Sequence, residues 1–306
     1  MVSLYGLFEI QDSDRDMDKI KKQKYIIVSA AVSIVLAVVT AVSYYIAMKN
    51  DFDSSIEHFA SGSAAFVAFA VSAAVSAVFS LALSVILTKN QEIASEPKTS
   101  ILSAFGAVLS AVMCISIVFS ETGAFAKSSS AETSAPVIIA AVLTVFIGVS
   151  AILNMLKIKI PQSVRIVVAT LAVAAVIVRL FASYFDFSHP INGPVRNINT
   201  IIEASALIFL ISEARLTFGT AKSPLNKTTA FFYLFSCMVM VSVGFGFSLG
   251  ALIYGIVNGY SGNPNLSLMR LALYISLAFI ALDRILAYAS ISESVPENEK
   301  AKKHSN

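Results

Sequence analysis

Eight long apolar runs separated by short polar stretches organise this chain. They are Tyr25–Met48, Phe59–Leu87, Ile101–Phe119, Ala135–Leu156, Ile166–Phe185, Ile198–Leu216, Thr229–Val257 and Leu266–Ala289. A helix rises about 1.5 Å per residue and needs about 20 mostly apolar residues to cross the hydrocarbon core of a bilayer. Each run therefore reads as a transmembrane helix, and none of the connecting stretches is long enough for a folded domain. The predicted fold class is all-α: a polytopic integral membrane protein of about eight transmembrane helices with no soluble domain. Residues 1–24 read as a cytoplasmic N-terminal tail and residues 293–306 as a polar, disordered cytoplasmic tail.

Composition points the same way. Hydrophobic residues make up 57% of the chain and charged residues 13%, with a mean hydropathy of +0.78. Soluble domains carry about 25% charged residues, so no water-soluble packing could cover this much apolar surface. The net charge of +3 is too small to suggest a nucleic-acid partner. The bilayer itself is the first expected partner.

The distribution of charge sets an expected orientation. Lys and Arg number seventeen on the side that holds both termini and five on the other. By the positive-inside rule both termini lie in the cytoplasm, and the plasma (cytoplasmic) membrane is the expected location.

Charge also divides the chain lengthwise. The first four predicted spans, within residues 25–160, hold no charged residue and read as a scaffold rich in small side chains. The last four, within residues 161–292, hold Arg179, Glu203, Glu213, Arg215, Arg270, Asp283 and Arg284. A charge within the bilayer costs roughly 2.5–3.5 kcal/mol on insertion scales, so such residues persist where they pair or line a wet cavity. Counting helical rise, Arg179, Glu203 and Arg270 share an outer layer about 6 to 9 Å deep. Glu213, Arg215, Asp283 and Arg284 form a second layer near the cytoplasm.

Helical spacing sorts these residues into stripes. Arg179, Ser183 and Asp186 share one face of the fifth helix, and Asn199, Glu203 and Glu213 one arc of the sixth. Ser267, Arg270, Tyr274, Arg284 and Tyr288 share one stripe of the eighth. Arg179 and Glu203 sit at matching depth on helices joined by a short loop, which predicts a salt bridge between them. Two arginines against one glutamate leave the outer layer positive, as a site for a small anionic or zwitterionic solute would be. That loop, with Asp186, His189, Asn192 and Arg196 around two prolines and an Asn-Gly turn signal, reads as a rigid connection or a lid over the outer layer.

Two further helices carry small residues at four-residue spacing, which lets backbones approach closely. These are Ser72, Ser76, Ser80, Ser84 and Thr88 on the second helix, and Ser242, Gly246 and Gly250 on the seventh. Such faces suit packing within the chain, or contact with a protein partner or a second copy.

Motifs for chemistry are scarce. Cys114 and Cys237 both lie in apolar runs, where cysteines act as small hydrophobes. No metal-ligand pattern, phosphate loop or catalytic motif stands in the sequence, so no cofactor, metal or catalytic residue is expected. The leading expectation is a small-solute or ion transporter with a polar site among the fifth, sixth and eighth helices. Arg179, Glu203 and Arg270 would form the outer site, with Glu213, Asp283 and Arg284 at the inner gate. The alternative is a non-transporting membrane subunit for assembly, sensing or partner binding, with a lipid-modifying enzyme third.

Overall fold

The computed structural model describes residues 4–53, 58–60, 62–89, 100–127, 135–156, 160–185, 193–218, 227–259 and 267–291. Helices account for nearly all of them. They are α1 (Leu4–Asn50), α2 (Ala64–Lys89), α3 (Ile101–Lys127), α4 (Ala135–Leu156), α5 (Gln162–Tyr184), α6 (Pro194–Thr217), α7 (Lys227–Asn258) and α8 (Leu268–Ile291). Seven of these are long and apolar enough to cross a membrane. The eighth, α8, matches them in length but carries Arg270, Asp283 and Arg284. The chain is an integral membrane protein, with eight helices among the described residues.

Backbone groups in hydrocarbon must find their hydrogen bonds within the segment, which leaves helices as the solution for apolar runs of this length. The outward faces stay apolar because lipid is their solvent. Val71, Val75, Val78 and Phe79 of α2 and Val108, Val112 and Ile115 of α3 are all exposed.

Helix ends differ from the sequence pattern at three places. The first helix begins at Leu4, so the stretch expected to be a tail continues it. Phe59, expected to open the second span, instead lies in a short strand. Strand β1 (Phe52–Asp53) pairs antiparallel with β2 (His58–Phe59), with Phe52 opposite Phe59. This ribbon stacks its aromatics over the end of the bundle: Phe59 lies 4.6 Å from Phe66, and Phe69 lies 5.1 Å from Tyr44 and 5.0 Å from Phe247. Ser63 then starts α2 by accepting the Phe66 amide at 2.9 Å while donating to Asp51 at 2.5 Å, as a helix N-cap does. The third difference bears on function. Helix α3 continues past Phe119 to Lys127 and so takes in Glu121.

Packing cuts across the expected division of the chain at residue 160. Helices α1, α2 and α7 pack together, while α3, α4, α5 and α6 follow one another side by side. Helix α8 lies between the two groups, against α3 above all and also against α1, α6 and α7. Glycines mark the closest approaches. A Cβ on Gly106 of α3 would stand 2.9 Å from the Ser276 carbonyl of α8, and one on Gly148 of α4 2.8 Å from the Ala111 Cα of α3. Cβ atoms on Gly246 and Gly250 of α7 would stand 2.9 and 2.7 Å from the Ala37 and Ala41 carbonyls of α1.

The small-residue faces of α2 and α7 are thus used inside the chain: Gly246 and Gly250 pack on α1, and Ser242 hydrogen-bonds Ser80 of α2 at 3.0 Å. At mid-length α7 loosens into a π-helical segment, Met240–Phe245, buried almost throughout.

Candidate functional site

Two polar layers occupy the interface around α8, near opposite ends of the helices. The first is built on Arg179, whose place on α5 turns it into the protein and leaves it only 1% exposed. Its Nη1 and Nη2 donate to the two carboxylate oxygens of Glu121, each at 3.1 Å, and its Nε donates to Thr144 of α4 at 2.7 Å. Arg270, in the first turn of α8, donates through Nε to the same Glu121 at 2.9 Å, with Nη2 2.8 Å away. One carboxylate thus binds two guanidinium groups. Paired donors of this kind are the strong, geometrically specific form of charge-assisted hydrogen bond.

The sequence pattern pairs Arg179 with Glu203; the structure corrects that. Arg179 bonds Glu121, because α3 lies close enough to α5 and α8 to reach both arginines. The positive excess expected in this layer is also removed, since Glu121 supplies the missing anion. Glu203 does join the layer, within electrostatic reach of Arg179 and Arg270. It is fully buried on α6. Its Oε1 accepts the Tyr274 hydroxyl at 3.3 Å, and Ser183 of α5 is a second hydrogen-bonding neighbour. Its Oε2 has no partner among the described residues.

In the second layer Arg284 of α8 donates to both carboxylate oxygens of Glu213 on α6, at 3.2 and 3.4 Å, and Tyr233 of α7 adds a hydroxyl donor. Asp283 is next to Arg284 in sequence but a helical step of about 100° turns it to the other side of α8, away from that pair. There it accepts the Ser100 hydroxyl at the start of α3, and its Oδ2 has no partner among the described residues. A cleft of about 20 Å³, bordered by Ser103, Ser150 and Asn154, lies beside Glu213 and Arg284. That is room for about one water molecule. Arg215 shares the depth of this layer but faces outward, over a groove lined by Ile208, Ile211 and Phe232.

No protein-family model matches this chain, nor does any curated protein or solved structure. A functional reading must come from the site's own chemistry.

The eighth helix thus carries two polar stripes rather than one. Tyr274 and Arg284 face Glu203 and Glu213 of α6. Ser276 and Asp283 face α3, where Ser110 and Ser276 hydrogen-bond at 2.6 Å between the two layers. Of the expected loop residues, Asp186, His189 and Asn192 lie outside the described residues. Arg196 is buried in the first turn of α6 with its guanidinium 5.4 Å over the Tyr184 ring, a cation–π distance. Cys114 and Cys237 are buried free thiols. Among the described residues no group of three His, Cys, Asp or Glu side chains is placed to hold a metal ion.

Sequence reasoning missed Glu121, Thr144, Ser100 and Tyr233. Only Glu121 left a readable signal: two arginines and one glutamate at one depth call for a second carboxylate, and Glu121, two residues past Phe119, is one of the carboxylates just beyond a span end, as Asp186 is.

Proposed function

We propose that this protein transports a small carboxylate-bearing solute, anionic or zwitterionic, and that the Glu121 layer is its binding site. The observation that carries this reading is the convergence of Arg179 and Arg270 on a single carboxylate. A solute carboxylate could take the same donors, with Glu121 holding them when the solute is absent. Access favours the exchange at one end only: Arg270 is 21% exposed and Glu121 13%, while Arg179 is closed in. Solute would then enter from the α3–α8 end and displace Glu121 from Arg270 first.

In this scheme the Glu213–Arg284–Tyr233 network closes the opposite end of the path. The positive-inside count places that end toward the cytoplasm of the plasma membrane, with both termini on the same side. The π-helical segment of α7 supplies a place where helix register can change, since such irregular turns often sit at functional sites.

The test is a thermal-unfolding screen of the purified protein against small carboxylates, amino acids and cationic amines, followed by uptake of any hit into proteoliposomes. Carboxylates or amino acids should raise the melting temperature, and Arg270→Gln should abolish both the shift and the uptake. Stabilisation by none of them, together with a stoichiometric protein copurifying from native membranes, would replace transport with the membrane-subunit reading.

A further inference from the structure

We infer that Glu203 is a proton-binding site, with the proton carried on Oε2. This extends the transport reading, because a proton bound here would be the coupling ion. The site itself can be tested apart from transport.

The case rests on how unequally the two carboxylates of the layer are served. Glu121 takes the ion pairs of both arginines. Glu203 is fully buried, takes hydroxyl donors, and has one oxygen with no partner among the described residues. An anionic oxygen buried without a donor loses its hydration, and the charges of Arg179 and Arg270, shared with Glu121, return only part of it. A proton on Oε2 removes that loss and leaves Oε1 free to accept from Tyr274.

Every element packed on this part of α6 contributes to the balance. Helix α5 brings Arg179 and Ser183, and α8 brings Arg270 and Tyr274. Glu121 of α3 stands beyond the two guanidinium groups, and β2 with His58 packs against α6. The π-helical segment of α7, Met240–Phe245, contains no titratable side chain. Two nearby arginines also disfavour a metal cation at this carboxylate, which leaves the proton as the fitting ligand.

The same geometry couples the proton to the arginines. While Glu121 holds both, Glu203 keeps its proton. When Glu121 is neutralised by a proton its hold on Arg270 weakens, and Arg270 can turn its charge toward Glu203. The O–H bond of Glu203 then breaks, the electron pair stays on Oε2, and the proton passes to water at the open end of the layer.

Infrared difference spectroscopy of pH jumps on the solute-free protein tests the assignment. A carboxylic-acid carbonyl band should disappear as pH rises, be absent from Glu203→Gln and disappear at lower pH in Glu121→Gln, where Arg270 is free to turn to Glu203. If Glu203→Gln does not fold, Glu203→Asp should shift the band instead. An unaltered band in a folded Glu203 variant, or no carboxylic-acid band at any pH at which the protein stays folded, would overturn the proposal. A Glu203 band in a protein that no carboxylate stabilises would keep the proton site and discard the solute.

Discussion

The seam between α2 and α7 and the seam between α3, α5, α6 and α8 pack helices with opposite chemistry. In the first, Ser76, Ser80 and Ser84 are buried, and each donates back to a carbonyl one turn earlier on its own helix. These hydroxyls are satisfied locally, so the partner helix has only to come close. Ser80–Ser242 and Ser84–Met238 are the modest cross-links that result. In the second seam Arg179, Glu121 and Arg270 satisfy one another across three helices. A helix carrying one of them would be costly in lipid by itself. Small-residue packing therefore sets how close helices come, whereas charge pairing sets which helices must be neighbours.

The largest effect that could break this contrast is the loss of Arg179. Its removal as Arg179→Met leaves Thr144 without this donor and Glu121 with Arg270 alone, and breaking a buried ion pair costs up to about 3–5 kcal/mol. Thermal unfolding in detergent should show a severe loss, and adding Glu121→Gln should recover part of it. An Arg179→Met protein as stable as the parent would mean that the charged seam does not specify its neighbours.

Small-residue packing should be most sensitive where two backbones touch, as α7 and α1 do. Gly250→Ala would push a Cβ to 2.7 Å from the Ala41 carbonyl, and forcing helices apart in this way costs about 1–3 kcal/mol. Gly244→Ala would meet the end of the Met240 side chain at 3.0 Å, which can swing away, so it should cost less. Equal losses at the two glycines would show that local helix propensity, not the α1–α7 approach, governs this face. The smallest effect belongs to the hydroxyl pair. A double-mutant cycle on Ser80→Ala and Ser242→Ala should give a coupling near ~0.6 kcal/mol, the average for such bonds within membranes. A coupling several times larger would place a polar network in this seam too.

Legibility followed the range of the forces involved. Each helix was readable because hydrocarbon burial and backbone satisfaction are local to a run of residues. The stripes on α6 and α8 were readable for the same reason, and Glu213 with Arg284 did meet. The Arg179–Glu203 bridge was misjudged because depth and loop length place two residues at one level without saying which third helix intervenes. Glu121 fell just past an apolar run, in Ser120-Glu121-Thr122-Gly123, where a polar stretch reads as a loop. Its helix extends that far because arginines from α5 and α8 neutralise the charge, a fact absent from its neighbours in sequence.

By itself, then, the sequence determined the solvent of this protein, its long apolar helices, the grouping of its charges into two layers and the faces that would pack tightly. These follow from composition and from a period of about 3.6 residues. Only the tertiary structure decided that α3 joins the charged helices, that α7 joins α1 and α2, and that α8 lies between the groups. The place of α3 and α8 rests on charge neutralisation between segments more than 140 residues apart, as between Glu121 and Arg270, and that of α7 on close backbone approach to α1; no local pattern encodes either pairing.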